Sequence, residues 1–405
     1  MTLSSHESPA PARTPASAPA PGRDTGEPSV GGLGVVMGGG GARAAYQVGF
    51  LRALADWYPH LRVPYITGVS AGAINAAHLA AHHGSFDQSV EELVHLWGNL
   101  QVDNVFQVGA TSLVNILLRW GLRLVSGGRG PVPEVRGLVD TAPLRRYLTD
   151  VLHAVDGELT GIRYNLETGR LRAIALSTSS YTTGQSVTWV QGSEIREWER
   201  PQRRSENTTL TVEHVMASAA LPLFFPAVRI GKEWFGDGGI RLAAPLSPAL
   251  HLGAGRILAI STRYARSAEE AAIPEVTGYP PPAQIGGVLM NSIFLDLLDH
   301  DAARLDLVNR LLKKIPADER MGLRPVRLLV LRPSRDLGSM AGDYEARLPR
   351  IFRFLTRGLG TRETRSPDFL SLILFQPDYL RALMKCGEAD ARAREGEIRA
   401  FVEER

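Results

Sequence analysis

Ser70 stands in Gly68-Val69-Ser70-Ala71-Gly72, a G-x-S-x-G pentapeptide. A serine at a tight strand-to-helix turn presents its hydroxyl for nucleophilic attack, and attack on an acyl carbonyl needs two helpers. One is a base for the hydroxyl proton; the other is a set of N–H donors aimed at the developing oxyanion. Gly38-Gly39-Gly40-Gly41 is a candidate for the donors, because a run without Cβ atoms lets backbone N–H groups face a cavity at the start of the next helix. A phosphate-binding loop is the rival reading of those glycines. No Gly-Lys-Ser/Thr follows them, and no acid ends the next strand, where Thr67 runs straight into the serine turn.

The base is less clear from the residues. Asp237 ends the aromatic run Trp234-Phe235-Gly236 and is followed by Gly238 and Gly239, a turn that presents one carboxylate. A Ser-Asp-His triad would instead want a late histidine, and only His251 and His300 follow Asp237. His251 lies between Leu250 and Leu252 and reads as structural; His300, in Leu297-Leu298-Asp299-His300-Asp301, reads as solvated.

These residues need particular elements to hold them. Gly34-Val35-Val36-Met37 is a short apolar strand before the glycines, and Arg43 to Tyr58 has helical spacing with Pro59 as its stop. Val63 to Thr67 is β-branched and aromatic, and Ala71 to Ala81 is an alanine-rich helix. Strand, glycine loop, helix, strand, turn, helix is the opening of a parallel α/β sheet. Further on, Arg172 to Ser177 and Ser186 to Val190 read as paired strands, Thr211 to Ala219 as a short helix, and Arg256 to Ser261 and Val326 to Leu331 as buried strands. Glu91 to Val125 reads as apolar helix, either core or a lid that touches lipid. Ile285 to Leu312, Tyr344 to Gly358 and Pro377 to Val402 read as helices.

Composition sets the outer limits. The 405 residues are 44% hydrophobic and 21% charged with a net charge of +3, values of a globular protein that argue against a nucleic-acid partner. Residues 321–365 hold ten Arg against four acids. With only four Lys in the chain, that excess reads as a solvated face more readily than as an anionic-lipid site. The single Cys386 excludes an internal disulfide, fits a reducing compartment and implies a cytoplasmic location. Residues 1–32 are rich in Pro, Ala and Ser with no apolar signal-peptide core, and read as a disordered tail. No run suits a transmembrane helix, and no His, Cys and carboxylate cluster has metal-ligand spacing, so no metal or other cofactor is expected.

Three motifs in order, Gly39-Gly40-Gly41-Ala42-Arg43, Gly68-Val69-Ser70-Ala71-Gly72 and Asp237-Gly238-Gly239, resemble those of the patatin-like phospholipases. The likeness extends through Ala217-Ser218-Ala219-Ala220-Leu221-Pro222-Leu223-Phe224-Phe225-Pro226 and covers about residues 33–262. It implies a three-layer α/β/α fold with a mainly parallel sheet, and a Ser-Asp dyad that cleaves lipid acyl esters without histidine. By position, Ser70 is then the nucleophile and Asp237 its base. Gly40 and Gly41 are oxyanion donors, and Gly39 shapes their loop. Gly68, Gly72, Gly238 and Gly239 complete the motifs, and Arg43 matches a basic residue that braces the loop or meets a lipid phosphate. Ala44 departs from the family's usual glycine, a change that adjusts helix packing.

The expected organisation is a tail over 1–32, a catalytic domain over 33–262 and a mostly helical region over 263–405, whose strand at Val326 either rejoins the sheet or belongs elsewhere. The expected substrate is a lipid or soluble acyl ester, met peripherally at a membrane or free. Leu113 to Trp120 and Leu221 to Pro226 are candidate acyl-binding walls, while Ser371 to Pro377 carries no evident chemistry. Two alternatives stand beside the dyad: a triad esterase using His251 or His300, and a non-catalytic lipid-binding protein.

Overall fold

The computed structural model describes residues 31–107, 137–274, 276, 278–294, 297–348, 353 and 367–404. The tail over 1–30 and the candidate wall Leu113 to Trp120, with the rest of 108–125, lie outside the described residues.

Among the described residues, a ten-stranded sheet forms the middle layer. Its strands are β1 (Leu33–Met37), β2 (Tyr65–Val69), β3 (Ala173–Ser180), β4 (Ser186–Gly192), β5 (Glu199–Arg200), β6 (Arg203–Asn207), β7 (Val228–Ile230), β8 (Glu233–Asp237), β9 (Arg256–Ile260) and β10 (Arg327–Leu331). The order is β10-β9-β1-β2-β3-β4-β6-β5, and β8 pairs with both β3 and β7. From β10 to β3 every pairing is parallel. The β3–β4 hairpin is antiparallel, with Ser177 opposite Thr188.

Alternation along the central strands builds two cores. Val35, Met37, Leu258 and Ile260 face one side, packing with the helices α1 (Ala45–Trp57), α2 (Ala71–Ala81) and α3 (Phe86–Asn99). Val36, Ile257 and Ala259 face the other, against Leu246, Ala249 and Leu252 of the stretch that includes helix Ser247–Leu252, and Leu305 of helix Leu297–Leu312. The result is a three-layer α/β/α sandwich.

The C-terminal helix Pro377–Ala393 lies against α1 and α3. Close approach is possible because both helices carry glycine where they cross. A Cβ on Gly49 would stand 1.8 Å from the Met384 carbonyl oxygen, and one on Gly387 would stand 2.0 Å from that of Tyr46. The Tyr46 hydroxyl, on a fully buried ring, donates to Asp390 Oδ2 at 3.0 Å.

One local reading is corrected in its bounds. Among the described residues of Tyr344 to Gly358, Glu345–Arg347 forms a 3₁₀ turn, Leu348 is extended (φ −61°, ψ 147°) and Arg353 is helical, so no single helix starts at Tyr344 and runs through Leu348. Proline follows Leu348, and its ring disfavours helix in the residue before it. Helix Thr160–Glu167 and strands β5 and β6 were not legible in the sequence. Several arginines of 321–365 are paired: Arg327 with Glu404, Arg332 with Asp299 and Arg347 with Asp378.

Candidate functional site

Ser70 and Asp237 meet because two strands end head to head along one edge of β3. β2 runs parallel to β3 up to Val69, opposite Ser177. From Thr178 onward the same edge is taken by β8, which runs antiparallel and places Asp237 opposite Thr178. The residue just past the end of β2 and the last residue of β8 therefore converge.

Ser70 is the turn between β2 and α2, with φ 56° and ψ −134°. A non-glycine residue held at such angles costs about 1–3 kcal/mol and persists only where its surroundings fix it. Several contacts do so. The Ser70 N–H donates to Ser218 Oγ at 3.0 Å, and the Ser70 carbonyl accepts from Ala73 N at 2.9 Å. Gly72 presses against β1 so closely that a Cβ there would come within 2.4 Å of the carbonyl oxygens of both Met37 and Gly38. Gly68 is likewise enclosed by Gly72 and Ala73.

Asp237 is fully buried. Its Oδ1 accepts from Gly239 N at 2.9 Å, while its Oδ2 makes no hydrogen bond of standard geometry among the described residues. Burial pushes the carboxyl up to about 7, opposed by the Ser70 hydroxyl and the Gly239 N–H. The backbone of Asp237 is held on both sides: its N–H donates to Ala220 O at 3.0 Å, and its carbonyl accepts from Ser179 Oγ at 2.8 Å. Gly238 packs on Ser177, whose carbonyl oxygen would be 2.1 Å from a Cβ.

The glycine loop lies against the same serine. A Cβ on Gly39 would be 3.0 Å from Ser70 Cβ and 3.6 Å from Ser70 Oγ. The loop is anchored through its carbonyls. Gly38 O accepts from Gln47 Nε2 at 2.8 Å, Gly39 O from Thr262 Oγ1 at 2.6 Å, and Gly40 O from Arg43 N at 3.0 Å. Among the described residues, the N–H groups of Gly39, Gly40 and Gly41 donate no hydrogen bond, which leaves them for a ligand. Gly41 has φ 54°, and a Cβ there would lie 2.1 Å from Leu372 O, so the loop and the C-terminal segment are in direct contact.

Behind the loop runs a buried polar relay. Trp97 Nε1 donates to Asn75 Oδ1 (2.8 Å), Asn75 Nδ2 to Gln47 Oε1 (3.0 Å), and Gln47 Nε2 to the Gly38 carbonyl. Three helices are tied to one glycine in this way. Gln47 and Asn75 were missed by the sequence reading, though a lone amide on each otherwise apolar face was the available signal. Thr262 was also missed, with no local pattern to distinguish it, and Ser218 entered only as part of the Ala217 to Pro226 block, with no role of its own.

Arg43 is buried and committed to protein partners. Its Nε donates to Ser371 Oγ at 2.6 Å, and its guanidinium pairs with Asp368 Oδ1 at 2.5 Å. Ser371, the first residue of the segment that read as chemically silent, is thus one of the partners of Arg43. Replacing Arg43 with Ala strands the Asp368 carboxylate, whose remaining side-chain donor is Asn291 Nδ2 at 2.6 Å. The expected loss is about 3–5 kcal/mol of stability, read as a lower denaturation midpoint.

An apolar cleft opens from Ser70, Gly40 and Gly41. One wall is a single face of α2, Ala71, Ile74 and His78, which advances about 12 Å from Ser70 to His78. Facing it, among the described residues, are Leu93, Trp97, Leu144, Leu148, Leu221, Phe225, Leu372 and Phe375. Of the candidate wall Leu221 to Pro226, Leu221 and Phe225 line the cleft, whereas Leu223 is exposed. Burial lowers His78 to about 4, so it is neutral near pH 7. His251 lies elsewhere, stacked on Trp198 with ring centroids 4.4 Å apart, and His300 is exposed; neither lines the cleft.

An α/β/α sandwich with a serine turn and a glycine loop at the mouth of an apolar cleft, and a buried aspartate beside that serine, has the form of a hydrolase. Residues 35–250, more than half the chain, match the family model for patatin-like phospholipase, and the chain belongs to that family. Similar solved structures include VipD from Legionella pneumophila, at 13% identity over 91% of this chain and 67% of that one, with a TM-score of 0.39. Human GIVD cytosolic phospholipase A2 is 13% identical over 94% of this chain and 63% of its own, with a TM-score of 0.46. The type III effector protein ExoU from Pseudomonas aeruginosa is 15% identical over 91% of this chain and 54% of its own, with a TM-score of 0.32. The chain therefore spans about two thirds or less of the length of these structures. No curated protein matches it in a sequence comparison.

Proposed function

We propose that this chain is a lipid acyl hydrolase of phospholipase A or lysophospholipase type, acting through a Ser-Asp dyad and an acyl-enzyme. Ser70 Oγ attacks the ester carbonyl carbon while Asp237 Oδ2 takes the hydroxyl proton. The N–H groups of Gly40 and Gly41 stabilise the oxyanion, with Gly39 shaping their loop. Asp237 then gives its proton to the departing alcohol; water, deprotonated by the same carboxylate, attacks the acyl carbonyl, and Asp237 returns that proton to Ser70 Oγ as the fatty acid leaves. Arg43 serves the reaction from behind, by holding the loop to the 368–371 segment.

The observation that most supports this reading is the state of Asp237. An ordinary carboxylate near pKa 4 is a weak base for a hydroxyl, but burial lifts this one to about 7, beside Ser70, with one oxygen left unpartnered among the described residues. A carboxylate tuned to that range accepts a proton more readily while staying largely ionised just above neutrality. Family membership supports lipid as the substrate class, and the apolar cleft suits an acyl chain. No helix among the described residues is long and apolar enough to cross a membrane. The proposed enzyme meets its substrate in the cytoplasm, either peripherally at a membrane or as a soluble ester.

Hydrolysis of a panel of phospholipids, lysophospholipids and short acyl esters tests the reading. Release of fatty acid from one of these classes is expected, and inertness across the panel contradicts it. On an active substrate, His251→Ala and His300→Ala are each expected to retain kcat/KM within about twofold, because a dyad routes no proton through histidine. A loss of about 10²-fold or more in either variant would establish a triad instead.

A further inference from the structure

We propose that Ser218 is a positioning residue that holds Ser70 at its reactive angles, an inference that rests on the reading of Ser70 as nucleophile. By turning at Ser70, β2 gives up part of its ladder with β3. In a continuing parallel ladder, the N–H groups of β2 would go on pairing with carbonyls of β3. At Ser70 the chain turns to φ 56°, and the strand pairing with β3 stops at Val69 opposite Ser177. A buried N–H and a buried carbonyl are then left facing each other without a direct bond, each costing about 1–3 kcal/mol if unsatisfied.

Ser218 fills that gap with one atom. Its Oγ accepts from Ser70 N at 3.0 Å and donates to Ser177 O at 2.7 Å, and the side chain is fully buried. A hydroxyl is a compact group that both donates and accepts. It therefore extends the ladder by a single oxygen and lets the strand turn while its last N–H stays tied to the sheet.

The same short segment also holds the other catalytic candidate. Two residues after Ser218, the Ala220 carbonyl accepts from Asp237 N at 3.0 Å. Ser218 to Ala220 thus fixes the backbone of Ser70 and of Asp237 from one rigid piece, at the end of helix Val212–Ser218. Ser218 itself makes no step of the reaction. It sets the distance between the two groups that do.

Two measurements on the full chain test this. In Ser218→Ala, the rate per site counted by fluorophosphonate titration is expected to fall about 10- to 100-fold, with KM within about twofold, since a displaced nucleophile loses attack geometry but not the cleft. Residue-resolved amide exchange is expected to show Ser70 N–H protected in the wild-type protein. In the variant that amide should exchange at least about tenfold faster while Ile66 in β2 is unchanged. A variant with the wild-type rate per site, or a Ser70 amide that exchanges freely in the wild-type protein, overturns the proposal. Should Ser218→Ala fail to fold, the wild-type exchange still decides. Should the wild-type protein take no fluorophosphonate label at all, it is the nucleophile reading that falls, and unchanged Ser70 exchange in the variant would then overturn the positioning claim on its own.

Discussion

Ser70→Ala is expected to lower kcat for acyl-ester hydrolysis by at least about 10⁴-fold, to the level left by binding and the oxyanion donors alone. The substitution removes one oxygen at a residue that is 6% exposed, and it leaves the backbone bonds of Ser70 to Ser218 and Ala73 in place. Binding of an ester analogue should therefore persist while turnover disappears, a loss in kcat with KM little changed. Full activity in a folded Ser70→Ala protein would remove Ser70 from the chemistry and with it the role given to Asp237.

Asp237→Asn has the second large effect, and its two halves have opposite signs. As base, Asp237 must be ionised, so kcat/KM in the wild-type protein should rise with pH along a limb of apparent pKa about 7. The Asn variant should lose about 10²- to 10⁴-fold and the limb with it. For stability, a carboxyl whose pKa is raised from 3.8 to about 7 binds its proton more tightly folded than unfolded. Its contribution is fully present below pH 3.8, falls as pH rises through about 7, and is constant beyond that. The ionised carboxylate thus costs the folded state up to about 4 kcal/mol above neutrality. Asn keeps an acceptor for Gly239 N and has no charge to bury. Asp237→Asn should therefore be more stable than the wild-type protein at about pH 8.5, by a few kcal/mol, with the gap narrowing toward pH 4. A gap that does not vary with pH would mean that Asp237 is not the strained group described.

The parts legible in the sequence are those fixed by local residue chemistry. The serine turn, the glycine loop and the Asp237 turn each need particular residue types within a few positions, and strands such as Val35 to Met37 announce themselves by apolar content. Topology was legible only in part. β6 is Arg203-Arg204-Ser205-Glu206-Asn207, with only Ser205 buried, so neither hydrophobicity nor alternation marks it as a strand. Helix Thr160–Glu167 turns just Gly161, Ile162 and Asn165 inward, too narrow a stripe to read.

Within the site, what escaped the sequence depends on contacts between distant segments. Arg43 and Asp368 are 325 residues apart, and nothing near Asp368 distinguishes it from a surface acid. Ser218 and Thr262 are single hydroxyls whose roles exist only once β1, β2 and β3 are assembled around them. The Ser371 to Pro377 stretch carried no evident chemistry in the sequence, yet Leu372, Ile373 and Phe375 line the cleft and the Leu372 carbonyl rests on Gly41. Pattern reports that a residue is buried; only packing reports what it is buried against.

Mapping the covalent adduct of a fluorophosphonate probe by peptide mass spectrometry tests the central claim most directly. The predicted result is one adduct per chain, on Ser70, whose formation slows as pH falls below about 7 and which is absent from Ser70→Ala. An adduct on any other residue, or none on Ser70 in a folded protein that hydrolyses acyl esters, would contradict it.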